Sequence, residues 1–93
     1  MYIFSANATA SKARDDIEIG QKKAFIVYIN FADLFGAEQL CKIYLMRAGF
    51  TAIEIEKRKL VPKKLLEDPR VVMADKAMAE AIKTGYMIQL FDE

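Results

Sequence analysis

The chain contains no histidine and a single cysteine, Cys41. Without imidazole there is no Ser–His or Cys–His nucleophile pair, because histidine is the commonest general base near neutral pH. A zinc cage of imidazole and thiolate is excluded too, since one thiolate cannot supply it. One cysteine permits no intrachain disulfide and fits a reducing compartment. The glycines, Gly20, Gly36, Gly49 and Gly85, are scattered. Neither a G-x-G-x-x-G turn nor a P-loop is therefore present to cradle phosphate. No run approaches the roughly 18 apolar residues of a membrane span. The first residues, Met1 to Asn7, lack the charged and long apolar regions of a signal peptide. The expectation is a soluble, cytoplasmic protein without membrane contact. An excess of one charge sign is missing as well, with 14 basic and 13 acidic residues and a net charge of +1. Chains that work by holding a phosphate backbone are usually far more basic, so nucleic acid is not the expected partner.

What is there is a single domain, residues 1–93, with 54% hydrophobic residues. That fraction sits slightly above the globular norm, a hint of burial between chains. Tyr2 to Ala10 alternates with period two, placing Tyr2, Phe4, Ala6, Ala8 and Ala10 on one side of a strand. Ser11 to Lys23 is polar and reads as a connection. Ala24 to Phe31 is apolar on both faces, as a covered central strand is. From Ala37 to Ala48 the residues Ala37, Leu40, Cys41, Tyr44, Leu45 and Ala48 follow a helical stripe, with Asp33 able to cap the start and Gly49 the end. Thr51 to Val61 is a strand with Ile53 and Ile55 inward and Glu54, Glu56 and Arg58 outward, hence nearer an edge. Lys63 to Glu67 reads as a helical turn, and Asp68-Pro69 starts a second helix with the stripe Ala74, Ala77, Met78, Ala81 and Ile82. Tyr86 to Phe91 is a last strand, apolar on both faces.

The expected fold is α+β, a two-layer sandwich of one four-stranded mixed sheet with two helices on one face, in the order β-β-α-β-α-β. It loosely resembles ferredoxin-like sandwiches in architecture alone, and its element order is not their split repeat. Two strands apolar on both faces leave one face of such a sheet uncovered. Exposed large side chains forgo roughly 1.5–3 kcal/mol each, and such a patch marks an interface. A second copy of the chain, joined through the sheet face or by strand pairing, is the expected cover.

Few side chains point to chemistry. Cys41 lies on the apolar stripe and reads as a small buried hydrophobe. Glu54 and Glu56 share an outer strand face and Asp15 and Asp16 are adjacent, yet polar-out alternation accounts for the first pair without catalysis or metal. Met46, Met73, Met78 and Met87 are expected to fill the core. The strongest positive signal is the basic run Lys57, Arg58 and Lys59, continued by Lys63 and Lys64. It suits an anionic partner, and it equally suits an edge strand defended against aggregation. No aromatic interleaves it, so a stacking platform for single strands is not indicated.

The expected function is a non-enzymatic protein-binding or regulatory module acting as a homodimer, without catalytic residues, cofactor or metal. Its expected recognition residues are Lys57, Arg58, Lys59, Lys63 and Lys64 with Asp15, Asp16 and Glu18. The alternatives are a small-molecule site in an apolar cavity lined by Tyr28, Tyr44, Met78 and Tyr86, or weak nucleic-acid contact through the basic run.

Overall fold

A computed structural model describes residues 1–14 and 16–91. Four strands, β1 (Tyr2–Ala10), β2 (Lys22–Ile29), β3 (Phe50–Leu60) and β4 (Tyr86–Leu90), form one sheet in the order β3-β1-β2-β4. Every pairing is antiparallel. The expected mixed sheet is therefore corrected. β2 and β3 do run parallel to each other, but β1 lies between them, so no parallel ladder forms. The β-α-β periodicity of residues 24–56 is real; what intervenes between its two strands is the preceding hairpin arm.

The pleat sends alternate residues to opposite faces. On the first face, Phe4, Ala6, Ala8 and Ala10 of β1 meet Phe25, Val27 and Ile29 of β2. α1 (Leu34–Arg47) packs there through Ala37, Cys41 and Leu45, and Phe50 closes the far end. The alanines of β1 let the helix come close, while Phe25 and Phe50 fill the corner edge-to-face at 4.7 Å. Asp33 caps α1 by accepting from the Gly36 N–H at 2.8 Å. At the other end, Arg14 of the β1–β2 connection donates to the Ala48 carbonyl, and its guanidinium lies 5.9 Å from the Phe50 ring centre. The polar connection is thus a clasp over the C-terminus of α1, where cationic groups are favoured.

The second face carries its own core. Met1, Tyr28, Val61, Ala77, Met78 and Ala81 are buried together, with Ile3, Ile26, Leu66, Val71 and Met87 against them. The cover is a second helical layer: α2 (Lys63–Leu66), α3 (Pro69–Ala74) and α4 (Lys76–Thr84). This corrects the expectation of both helices on one face. The β2-to-β3 connection crosses one face, and the β3-to-β4 connection crosses the other. The apolar residues that demanded a partner chain are met, in part, by the chain itself. Away from α4 the second face turns polar, with Ser5, Asn7 and Thr9 half-buried along β1.

The expected second helix is broken at Asp75. That residue stands at φ −123° and ψ 98°, outside the helical region, and its carboxylate accepts from the Met78 N–H at 3.0 Å. A short acidic side chain that can cap a helix competes with the helix passing through it. The weak helix formers Val71 and Val72 before it add to the break. Two other corrections concern size and side. Met73 and Met46 are exposed, Met73 because α3 turns Val71 and Val72, not Met73, toward the protein, and Met46 because it lies on the outer side of α1. Met78 is buried and Met87 half-buried.

Candidate functional site

The end of the sheet where Tyr2 pairs with Ile29 on one side and Leu60 on the other gathers several chain segments. Met1 accepts from the Val61 N–H at 2.8 Å, tying the start of β1 to the start of the second helical layer. Asn30 donates its N–H to the Gly85 carbonyl at 2.9 Å, holding the exit of β2 against the entry of β4. Between these ties lies a hollow of about 360 Å³, half open to solvent. Met1, Phe31, Ala32, Leu66 and Ile82 make its apolar wall, and Lys63, Glu67 and Asn30 stand at its polar rim.

Phe31 is the wall's defining residue. It follows the end of β2 and is 45% exposed instead of facing inward. Its ring lies over Gly36 so closely that a Cβ there would come 2.4 Å from Cε2. A side chain at Gly36 would have to displace this exposed ring. Gly36 is not a positive-φ position. Phe35, in the first turn of α1, is 70% exposed beside it in sequence. Large apolar groups held out in water on ordered backbone are the usual mark of a contact surface.

The sequence-predicted residues divide among several places. Lys57, Arg58 and Lys59 lie on β3, an edge strand, as expected from its wet face. The pleat separates them. Arg58 turns to the first face and ion-pairs with Glu38 of α1, while Lys57 and Lys59 point to the second. Lys63 and Lys64 begin α2, and Lys63 reaches the hollow's rim. Lys59, Lys63 and Lys64 therefore share the Tyr2 end of the sheet. Asp16 and Glu18 are exposed in the β1–β2 connection, at the end where Ala10 pairs with Phe50. The length of the sheet separates this acidic segment from the lysines, so the two do not form one surface. Asp15 lies outside the described residues.

The four residues expected to line a cavity are parted by the sheet. Tyr44 and Tyr86 stack on the first face, ring centres 3.9 Å apart, and join α1 to β4. Tyr28 and Met78 belong to the core of the second face. The Tyr28 hydroxyl donates to Asp75 at 3.1 Å, the same carboxylate that caps α4. Burial, then the charge and hydrogen bond of Asp75, raise the Tyr28 hydroxyl above its ordinary range.

Cys41 is fully buried, and burial pushes its thiol up to about 12, with Glu38 adding to the shift and Lys42 opposing it. Burial and the raised thiol both disfavour the thiolate that a nucleophile or metal ligand needs. Among the described residues no three of His, Cys, Asp and Glu come together as a metal site. No helix among them is long and apolar enough to cross a membrane.

No protein-family model, curated protein or solved structure matches this chain.

The sequence reading missed Phe31, Ile82, Met1 and Leu66 as surface-forming residues. A signal was present. Phe31, Leu34 and Phe35 crowd the Asp33 cap, and Phe31 and Phe35 lie off the stripe that α1 buries. Apolar residues in excess of what a stripe needs have to be placed somewhere, and here they are outside.

Proposed function

We propose that the chain is a small cytoplasmic, non-enzymatic protein-binding module that works as a homodimer and receives a partner segment in the hollow at the Tyr2 end. The observation that carries this is the hollow itself: an apolar wall with Lys63, Glu67 and Asn30 at its rim. Lys63 and Glu67 stand at the rim itself, and Lys59 and Lys64 lie at the same end of the sheet, which favours an acidic segment bearing one bulky apolar side chain. The apolar group fills the space over Phe31 and Ile82, and the carboxylates meet the lysines. Long-range attraction of this kind steers encounter and sets specificity more than affinity. Catalysis has little to work with: histidine is absent from the sequence, and the one thiol is sealed.

A fluorescein-labelled acidic peptide with one central phenylalanine is a direct probe. Fluorescence anisotropy is expected to show saturable binding that weakens with salt. Replacing the peptide's phenylalanine by serine, or Lys63 and Lys64 by Glu, is expected to reduce it about tenfold, the worth of roughly 1.4 kcal/mol. Binding that ignores the phenylalanine would reduce the site to a nonspecific basic patch. Absence of binding to any such peptide would remove the reading.

A further inference from the structure

The two edges of the sheet are built differently. β3 has eleven residues, of which Glu54, Glu56, Lys57, Arg58 and Lys59 are charged, and its pairing with β1 shifts register twice. Charge and irregularity are the usual defences of an open edge. β4, at the other edge, reads Tyr86-Met87-Ile88-Gln89-Leu90 and has neither. It carries no charged side chain and pairs with β2 in unbroken register. Tyr86, Leu90 and the following Phe91 are all exposed.

The hydrogen bonds fix which groups this edge presents. Asn30 N–H donates to the Gly85 carbonyl and Phe91 N–H to the Ala24 carbonyl. In an antiparallel ladder these bonds flank pairs that exchange none between themselves. Ile29–Tyr86, Val27–Ile88 and Phe25–Leu90 are such pairs. The backbone groups of Met87 and Gln89 therefore point to β2. Those of Tyr86, Ile88 and Leu90 point outward, symmetrically about Ile88. Among the described residues only the Tyr86 carbonyl has a partner, the Thr84 hydroxyl at 3.0 Å. An open hollow bordered by Tyr86, Met87, Ile88, Glu80 and Thr84 lies alongside, so α4 does not roof the edge.

We infer that β4 pairs antiparallel with β4 of a second copy, centred on Ile88, to make one continuous eight-stranded sheet. In this register Ile88 faces its twin and exchanges both backbone hydrogen bonds with it. Tyr86 does the same with Leu90 across the axis, and Met87 stands opposite Gln89. No like charges meet, and the cross-strand pairs are apolar or neutral, which sheets favour. The pairing is self-complementary, as a two-fold interface requires. It rests on the reading of the chain as a homodimer and supplies the surface for it, distinct from the hollow at the Tyr2 end. The interface is small, so the dimer is a reversible one with a Kd of micromolar order.

Sedimentation velocity of the full chain, from about 1 to about 200 μM, reads the association by mass action. The expected mass rises toward twice the 10.6 kDa of one chain. Leu90→Pro removes one outward N–H per copy and leaves the bonds of Met87 and Gln89 to β2 in place. It is expected to weaken dimerisation at least tenfold with those two amides still protected from exchange. Amide exchange of the unaltered chain gives a second, independent readout: Ile88 and Leu90 amides should gain protection as concentration rises. A concentration-dependent dimer that is unaffected by Leu90→Pro, with Ile88 exchanging freely, overturns the β4 pairing and leaves self-association through another surface. A monomer at every concentration overturns both.

Discussion

Cys41 lies in the first core with its side chain wholly shielded, and that burial is the main reason its thiol moves from an ordinary 9.0 to about 12. Tyr28, in the second core, shifts in the same direction from 10.0. Both groups are neutral when protonated, so the fold favours the proton-bound form of each. In the unfolded chain they ionise near their ordinary values. Their contribution is therefore complete below pH 9; that of Cys41 is lost as pH climbs from 9 toward about 12, and that of Tyr28 declines above 10, because unfolding then releases protons that the native state retains. Urea unfolding between those limits should show a falling midpoint. Cys41→Ala should be less stable at every pH through lost packing, yet decline less steeply above pH 9. An equal slope in variant and parent would show that the thiol does not carry the effect. The fully buried thiol was legible from its place on the helical stripe. The hydrogen bond of Tyr28 was not, because its partner is 47 positions away in sequence and on another element.

α3 and α4 meet at Asp75, and one carboxylate serves both the junction and the sheet. Oδ1 accepts from the Met78 N–H at 3.0 Å, and Oδ2 accepts from the Tyr28 hydroxyl at 3.1 Å. The first bond starts α4 and the second seats it on β2. Asp75→Ala removes both, and should lower stability by about 2 kcal/mol, the upper end for a lost cap joined to a lost side-chain bond. Tyr28→Phe removes the second bond alone and should lower it by about 1 kcal/mol. The double variant should fall short of the sum, since the two share one interaction. Strict additivity in thermal or urea unfolding would show the bond to be inconsequential. Element by element, β1 and β3 were readable from period-two alternation, and β2 and β4 from short apolar runs bounded by turn residues. Their edges and pairings were less so. β2 begins at Lys22, inside what reads as a polar connection, because the hairpin ladder from Thr9 carries two lysines into the sheet. The break at Asp75 was obscured because α3 and α4 together continue one helical stripe. The local competition of a capping side chain is written in a single residue, whereas periodicity is summed over many.

Both faces of one sheet carry a core, and the two cores are unequal. The first buries Phe4, Phe25, Val27, Ile29, Leu45 and Phe50 around Cys41. The second rests on Met1, Tyr28, Val61 and Met78 with two alanines, beneath helices of which α2 and α3 bury nothing fully. Periodicity showed that β2 and β4 are apolar on both sides, but not which face each crossover takes, since that depends on the path of the connection. Once the path is known, the apolar demand on the second face falls, and the proposed self-association has the uncharged edge as its surface. The inequality of the cores also orders their stability. Regions with fewer buried apolar contacts open at lower free energy than the whole molecule. α4 should therefore lift from the sheet while β1, β2 and α1 stay closed. Native-state hydrogen exchange should place the Gly85 amide, which bonds to the Ala81 carbonyl at 2.8 Å, below the amides of Phe4 and Val27 by about 2 kcal/mol, the worth of one large buried side chain. Labelling of Cys41 by a thiol reagent should follow the higher of the two energies, because its shelter is the first core. If Gly85, Phe4 and the Cys41 thiol all report one free energy with one urea dependence, the two layers open as a single unit. The second helical layer is then as firmly bound as the first, despite burying less.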